Sequence, residues 1–249
     1  MLCFNIESYV KKKYTIILTW MLINFAYNLL ISQKNVDTQN LLWIRYNLKV
    51  KLNDTYQIKQ EIENRIFWSP WRQHQLITRT LLSRKLDKGW DAGIGLAYSS
   101  QATPQDPEIR DFKNVIELRS QLEVTYQQQL SNKISINHRF WSEFRFFEQP
   151  EGSFDYKNNR TRYKLEFYYT ISSKTSLRAF DEILLNIGDH VFDQNRYGTS
   201  FQYMPYKNFG LEIGYINWYQ ERASGVDFYN RHIIRLTIHQ TINLKKSKS

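Results

Sequence analysis

Apolar residues alternate one for one with polar or charged residues in segment after segment of this 249-residue chain. Between positions 42 and 52, the even-numbered residues form the apolar parity: Leu42, Ile44, Tyr46, Leu48, Val50 and Leu52. The odd-numbered residues form the polar parity: Trp43, Arg45, Asn47, Lys49 and Lys51. Successive side chains of a strand point to opposite faces, so this segment has one apolar face and one mainly cationic face. Charge at mid-strand, repeated along the chain, is typical of a barrel with lipid outside and water or ion pairs inside. The sequence therefore predicts an all-β, antiparallel up-and-down transmembrane β-barrel.

Eleven segments follow this pattern. They are residues 40–53, 55–68, 73–86, 90–100, 114–128, 133–147, 160–172, 175–187, 196–205, 209–221 and 229–244. Tight turns and longer connections alternate between these segments. The longer connections include residues 101–113, 148–159, 188–195 and 222–228. Turns on the periplasmic side and loops outside are the outer-membrane pattern, but an odd count would start the first strand outside. Because bacterial single-chain barrels favour even counts, we predict about twelve strands, with ten as the alternative.

A soluble, lipocalin-like barrel is the competing architecture. Such a barrel would turn its apolar face inward, and a closed barrel of about eight strands has room for one small ligand. The eleven segments supply more apolar side chains than that interior holds, so we favour the membrane barrel.

The first 32 residues read as a secretion signal. Lys11, Lys12 and Lys13 precede the mostly apolar segment 14–31, which resembles the basic and apolar regions of a signal peptide. A transmembrane anchor is the alternative, but Asn24 and Asn28 interrupt the apolar run. We therefore expect a signal peptide at residues 1–32 and one outer-membrane β-barrel domain at residues 33–249.

Charge and cysteine content narrow the possible partners. The net charge is +10, and removal of residues 1–32 takes away three lysines and one glutamate, leaving +8. The cations are spread over many strands, which argues against nucleic acid and favours outer-membrane lipid, lipopolysaccharide phosphate or a small anionic solute as partners. The only cysteine is Cys3, so the exported chain has no disulfide and no thiolate chemistry. We expect no cofactor.

The polar parity predicts a charged lumen. Its most concentrated part is expected on the middle strands, where Glu143 lies between Arg139 and Arg145 and faces Arg160 and Arg162 on the next strand. The predicted lumen charge network consists of Arg139, Glu143, Arg145, Arg160, Arg162, Glu166, Glu182 and Arg196. A purely structural network that stiffens the barrel is the simplest interpretation of such charges.

Several short motifs span this part of the chain. They are Leu42-Trp43, Arg65-Ile66-Phe67, His138-Arg139, Glu143-Phe144-Arg145-Phe146, Asn159-Arg160-Thr161-Arg162-Tyr163, Phe180-Asp181-Glu182, Asp193-Gln194-Asn195-Arg196 and Gly214-Tyr215. In this order and spacing the chain resembles a family of Gram-negative outer-membrane barrels known only as domain of unknown function family 2490. The resemblance implies export and a barrel, and it implies no established activity.

An enzyme that modifies lipid at the outer rim is the alternative function. Its candidates are Asp181, His190 and Asp193, which lie close together in the sequence near one predicted loop. The sequence has no Gly-x-Ser-x-Gly elbow and no metal-ligand spacing, so it names no catalytic residue and no metal site. We therefore favour a binding, narrow transport or structural barrel whose charged lumen is largely occluded, with the Gln/Pro-rich residues 101–107 in a flexible extracellular loop.

Overall fold

Strands account for most of the folded chain. The computed structural model of the protein describes residues 35–188, 190–222 and 224–244, so the predicted signal peptide lies outside the described residues. The strands are β1 (Asn35–Lys51), β2 (Tyr56–Phe67), β3 (Arg72–Lys85), β4 (Trp90–Thr103), β5 (Lys113–Gln129), β6 (Ile134–Glu148), β7 (Phe154–Thr170), β8 (Thr175–Ile187), β9 (Phe192–Tyr206), β10 (Phe209–Glu221) and β11 (Asp227–Asn243). A 3₁₀ turn at Asp87–Gly89 precedes β4. The described residues form no helix of the length and apolarity needed to cross a membrane.

The sheet closes on itself. Each strand pairs antiparallel with the next, and β1 lies beside β11. With eleven such strands, β1 and β11 run in the same direction, and their contacts agree with this. The Tyr46 hydroxyl donates to Gln240 Oε1 at 2.6 Å, and the Leu244 amide donates to the Lys51 carbonyl at 2.9 Å.

The predicted all-β barrel is therefore confirmed, and its eleven strands are close to the predicted twelve. The expected even count assumed antiparallel closure throughout. Parallel closure between β1 and β11 makes an odd count geometrically possible, and no twelfth strand is present in the part of the chain that the structure describes.

The two ends of the barrel differ. At the turn end, adjacent strands are joined tightly, and the side chain of Asn53 accepts hydrogen bonds from the amides of Thr55 and Tyr56 at 2.8 and 2.7 Å. At the loop end the strands run further than the sequence pattern predicted. Residues 149–153, for example, are all that separate β6 from β7.

The distribution of side chains is inside out. Outward positions carry exposed apolar residues, among them Ile94 and Leu96, which are 62% and 67% exposed. Inward positions carry buried charges, and Glu63, Glu143 and Arg231 have no exposed surface. Both sets follow from the period of two in the sequence, because every second residue of a barrel strand faces the interior.

Aromatic side chains stack on the outer surface near the turn end. The rings of Trp90 and Tyr126 lie 4.7 Å apart, and Tyr126 stacks in turn on His138 at 5.9 Å. His138 Nδ1 lies 2.9 Å from the Tyr163 hydroxyl, which extends the row to β7. Rows of this kind form the aromatic girdles of membrane barrels.

Part of the inner wall is apolar. A cluster of buried side chains lies on the inward parity of β1, β2, β8, β10 and β11: Leu41, Trp43, Phe67, Phe180, Ile216, Trp218 and Ile233. Trp43 and Trp218 meet edge to face at 5.7 Å. This apolar wall faces the charged side chains that define the candidate site.

Candidate functional site

Three cavities follow one another along the lumen. The largest, about 630 Å³, opens toward the turn end and is called the vestibule here. Two cavities of about 50 Å³ each lie beyond it. The inner cavity is next to the vestibule and is lined by Trp43, Arg45, Glu61, Arg65, Arg79, Arg139, Trp141, Arg162, Lys164, Phe180, Glu182, Arg196, Ile216 and Arg235. The mouth-side cavity lies toward the loop end, where Gln75, Gln101, Asp193 and Gln220 are part of its lining.

Four arginines line both small cavities and separate them. We call them the four-arginine constriction: Arg65 on β2, Arg79 on β3, Arg162 on β7 and Arg196 on β9. The carboxylates that line either cavity are Glu61, Glu182 and Asp193, so cations outnumber anions in this layer of the lumen.

Glu143 is a hub of the charge network. Its Oε2 atom lies 2.7 Å from Arg160 Nε, and its Oε1 atom lies 3.2 Å from Arg162 Nη1 and 3.6 Å from Arg119 Nη1. The structure thus brings Glu143 together with Arg160 and Arg162, as the strand register predicts. Gln121 Nε2 also donates to Glu143 at 3.1 Å.

Glu182 links the next part of the network. It accepts from Arg139 Nη2 at 2.7 Å and from Arg162 Nη2 at 2.8 Å. Arg162 therefore bridges Glu182 and Glu143. Arg145, in contrast, pairs with Glu117 at 2.5 Å, and Glu117 also binds Arg119 at 2.7 Å.

Glu166 lies apart from the Glu143 hub. It pairs with Lys164 at 2.7 Å and accepts a hydrogen bond from the Tyr168 hydroxyl on the same strand. It lines the vestibule rather than the constriction.

Arg196 is the member of the constriction without an acidic partner. Its Nη2 atom donates to Gln194 at 2.5 Å, and its guanidinium lies 4.6 Å from the Trp218 ring and 5.6 Å from the Trp43 ring. The described residues place no carboxylate within ion-pair distance of Arg196, although its side chain is buried. Its Nε–H has no acceptor within the part of the chain that the structure describes.

The network also extends to strands outside the predicted set. Glu63 binds Arg45 on β1 and lies 2.6 Å from Arg65 Nη2. On β10, Glu212 binds Arg178 at 3.1 Å and Arg235 at 2.9 Å. The direct pairing of Arg45 with Glu63 across β1 and β2 is the sequence signal for the first group, since both lie on the polar parity.

The three predicted rim residues do not converge. Asp181 does not lie at the rim but faces outward at mid-strand. There its carboxylate accepts a hydrogen bond from Asn195 Nδ2 at 2.7 Å. Asp193 faces the lumen and binds Arg160 at 3.0 Å. His190 lies in the β8–β9 loop, largely exposed, with Nδ1 3.7 Å from Glu221.

A β-bulge on β9 explains why Asp193 faces the lumen. Leu184 pairs with Gln194 but Leu185 pairs with Phe192, which leaves Asp193 as an extra residue on β9. A bulge of one residue re-aims the side chain there and breaks the simple alternation. The same irregularity occurs around His74 between β2 and β3, and it turns His74 into the buried interior.

The β4–β5 loop, residues 104–112, folds into the mouth of the barrel. Arg231 Nη2 donates to Gln105 Oε1 at 2.6 Å, and Gln39 Nε2 donates to the Gln105 carbonyl at 2.8 Å. Arg72 donates to the carbonyls of Pro104 and Asp106 from the neighbouring wall. The expectation that residues 101–107 form a free loop is therefore wrong, because residues up to Thr103 belong to β4 and the next three are tied to buried side chains.

No group of three or more metal-ligating side chains occurs within residues 35–188, 190–222 and 224–244. The buried lumen carboxylates Glu63, Glu143, Glu182 and Glu212 are instead engaged by arginines. The site is thus an arginine-rich lumen of a closed β-barrel.

Residues 40–230 match the family model described as "Protein of unknown function (DUF2490)", so the chain belongs to this family. A comparison with curated proteins finds no match. Among solved structures, the NanC porin structure in a rhombohedral crystal form is similar at 11% sequence identity and a TM-score of 0.49. The similarity covers 80% of this chain and 96% of that chain.

Proposed function

We propose that this protein is an integral outer-membrane β-barrel with a narrow lumen that admits or holds small anions. The observation that carries the proposal is the four-arginine constriction, in which buried cations exceed the carboxylates around them. A ring of charged side chains selects permeant ions by sign, so such a lumen favours anions.

The outer surface supports insertion in lipid. Large apolar residues on the outward parity are exposed to the surroundings, and the aromatic row of Trp90, Tyr126, His138 and Tyr163 borders them at the turn end. In water this surface would be an aggregation hazard, whereas in a bilayer it contacts acyl chains. The partner of the outer surface is therefore outer-membrane lipid, including the phosphates of lipopolysaccharide near the rim.

Contacts across the lumen support a largely occluded bore. Lys59 on β2 reaches Glu123 on β5 at 3.0 Å, and the Arg79 guanidinium lies 5.7 Å from the Trp141 ring on β6. Wide aqueous channels belong to barrels of about 16–18 strands, and about eight strands leave an interior filled by side chains. At eleven strands, inward arginine and tryptophan side chains decide the width.

The geometry does not favour the lipid-modifying enzyme. Catalysis at the rim needs a nucleophile and a base within hydrogen-bond reach of each other. Asp181 points outward, whereas Asp193 points into the lumen. His190 lies in the β8–β9 loop, so the three side chains do not converge.

Planar-bilayer recording under a salt gradient tests the proposed function. We expect a small conductance. The sign of its reversal potential should show that anions permeate better than cations. A large, steady, unselective conductance would contradict the narrow lumen, and cation preference would contradict the role of the four-arginine constriction. If recordings stay silent, a binding role replaces transport.

A further inference from the structure

We infer that the inner cavity is a binding site for the head group of a small planar oxyanion, namely a carboxylate or a nitrate-sized ion. The inference deepens the proposed function and rests on it for how the anion reaches the lumen. Its structural basis is an excess of hydrogen-bond donors in a cavity of defined size.

Six buried N–H groups around the inner cavity have no acceptor among the described residues. They are Trp43 Nε1, Arg79 Nε, Arg139 Nε, Trp141 Nε1, Arg196 Nε and Arg235 Nε. Buried donors in proteins are nearly always paired, so a concentration of unpaired ones in one cavity calls for an explanation. The residues that line the inner cavity therefore carry more donors than acceptors, and a ligand that only accepts hydrogen bonds, such as an ionised oxyanion, complements this lining.

The charges around the cavity favour one added negative charge. Its two carboxylates are already engaged, since Glu61 binds Arg45 and Arg79, and Glu182 binds Arg139 and Arg162. Arg196 has no carboxylate within ion-pair distance among the described residues, because its cross-strand neighbour Glu182 is engaged by Arg139 and Arg162. A monoanion beside Arg196 compensates that buried cation.

The size of the cavity restricts the ligand. A volume of about 50 Å³ is several times the roughly 10–15 Å³ that one water requires. It therefore accommodates a head group of a few heavy atoms. The planar guanidinium and indole groups that line it match a planar carboxylate or nitrate.

The vestibule provides room for the rest of a larger carboxylate. Glu61, Arg79, Arg139 and Trp141 line both the inner cavity and the vestibule of about 630 Å³, so the two spaces share a wall. A small organic acid can lie with its carboxylate at Arg196 and its body in the vestibule.

A binding measurement on the folded barrel in detergent tests the site without requiring transport. Sodium sulfate is replaced stepwise by sodium nitrate or sodium acetate at constant ionic strength, and the unfolding midpoint and tryptophan fluorescence are followed. We expect a saturable rise of the midpoint with both ions for the unmodified protein. Arg196→Gln should raise the half-saturating anion concentration by about tenfold or more, because it removes a charge-assisted donor.

Two further variants keep the test decisive. Trp141→Phe retains the ring but removes one unpaired donor, and it should weaken binding by about threefold even if Arg196→Gln fails to fold. Arg222→Gln, near the loop end and against Tyr229, is the matched control and should leave binding unchanged. Absence of saturation in the unmodified protein, or unchanged binding in both Arg196→Gln and Trp141→Phe, would overturn the site. Saturable binding without conductance would retain the site and reject transport, and anion-selective conductance without saturation would do the reverse.

Discussion

Glu143 on β6 and Arg160 on β7 form a direct cross-strand pair in which Arg160 contacts one carboxylate oxygen twice, at 2.7 Å from Nε and 2.5 Å from Nη2. Glu143 is fully buried, and Arg162 and Arg119 approach its other oxygen. One carboxylate therefore holds three arginines together inside the barrel.

Replacing Glu143 with Gln should destabilise the barrel strongly. The change leaves Arg160, Arg162 and Arg119 without their shared anion, and removal of one partner from a buried ion pair costs about 3–5 kcal/mol. We expect a clearly lower unfolding midpoint in detergent, measured by the heat-modifiable shift in gel migration.

Glu151→Gln is the matched control for this substitution. Glu151 is exposed in the β6–β7 loop, where it accepts a hydrogen bond from Ser153 at 2.9 Å, so its midpoint should stay near that of the unmodified protein. Equal midpoints for the two variants would show that Glu143 is not the hub described here.

A charge on the outer face should be poorly tolerated. Leu96 is 67% exposed on β4, and on a soluble protein Leu96→Arg would be nearly neutral. An arginine at the bilayer midplane of a barrel costs about 2–4 kcal/mol. We expect a lower folding yield of Leu96→Arg into liposomes, with Glu108→Arg in the β4–β5 loop as the control. Normal folding yield together with improved solubility in buffer would argue for a soluble barrel.

Releasing the β4–β5 loop should open the mouth of the lumen. Arg231→Gln removes the donors to Gln105 and Gln39, so limited proteolysis should cut residues 104–112 faster than in the unmodified protein. Any bilayer conductance should rise as well, by about twofold or more, since loops that fold inward restrict barrel interiors. Arg110→Gln changes an exposed residue of the same loop and serves as the control. An unchanged cleavage rate in Arg231→Gln would mean that these hydrogen bonds do not retain the loop.

The alternation of residue types was sufficient to predict the barrel and most of its inward charges. The Glu143–Arg160 pair follows directly, because a period of two fixes the face and adjacent polar positions of opposite sign tend to pair. The parity also placed Arg196 in the lumen, although it could not show that Arg196 lacks an acidic partner. That depends on side-chain contacts across the barrel, which have no local sequence signature.

The exceptions occur where the backbone leaves the regular pattern. One bulge turns Asp193 inward, and another buries His74. Neither extra residue disturbs the alternation of apolar and polar residues enough for the bulge to be recognised from the sequence. The parallel contact of β1 with β11 joins the two ends of the described chain, so nearest-neighbour patterns cannot reveal it. The inward fold of the β4–β5 loop depends on Arg231 and Gln39, which are remote from it in sequence.

The most direct test of the inside-out barrel is to separate the membranes of cells that express the full chain and to compare gel migration with and without heating. An inside-out barrel should be recovered in the outer-membrane fraction, resist extraction by alkaline carbonate, and have a folded form that migrates differently until it is heated. Recovery as a soluble periplasmic protein with unchanged migration would contradict it.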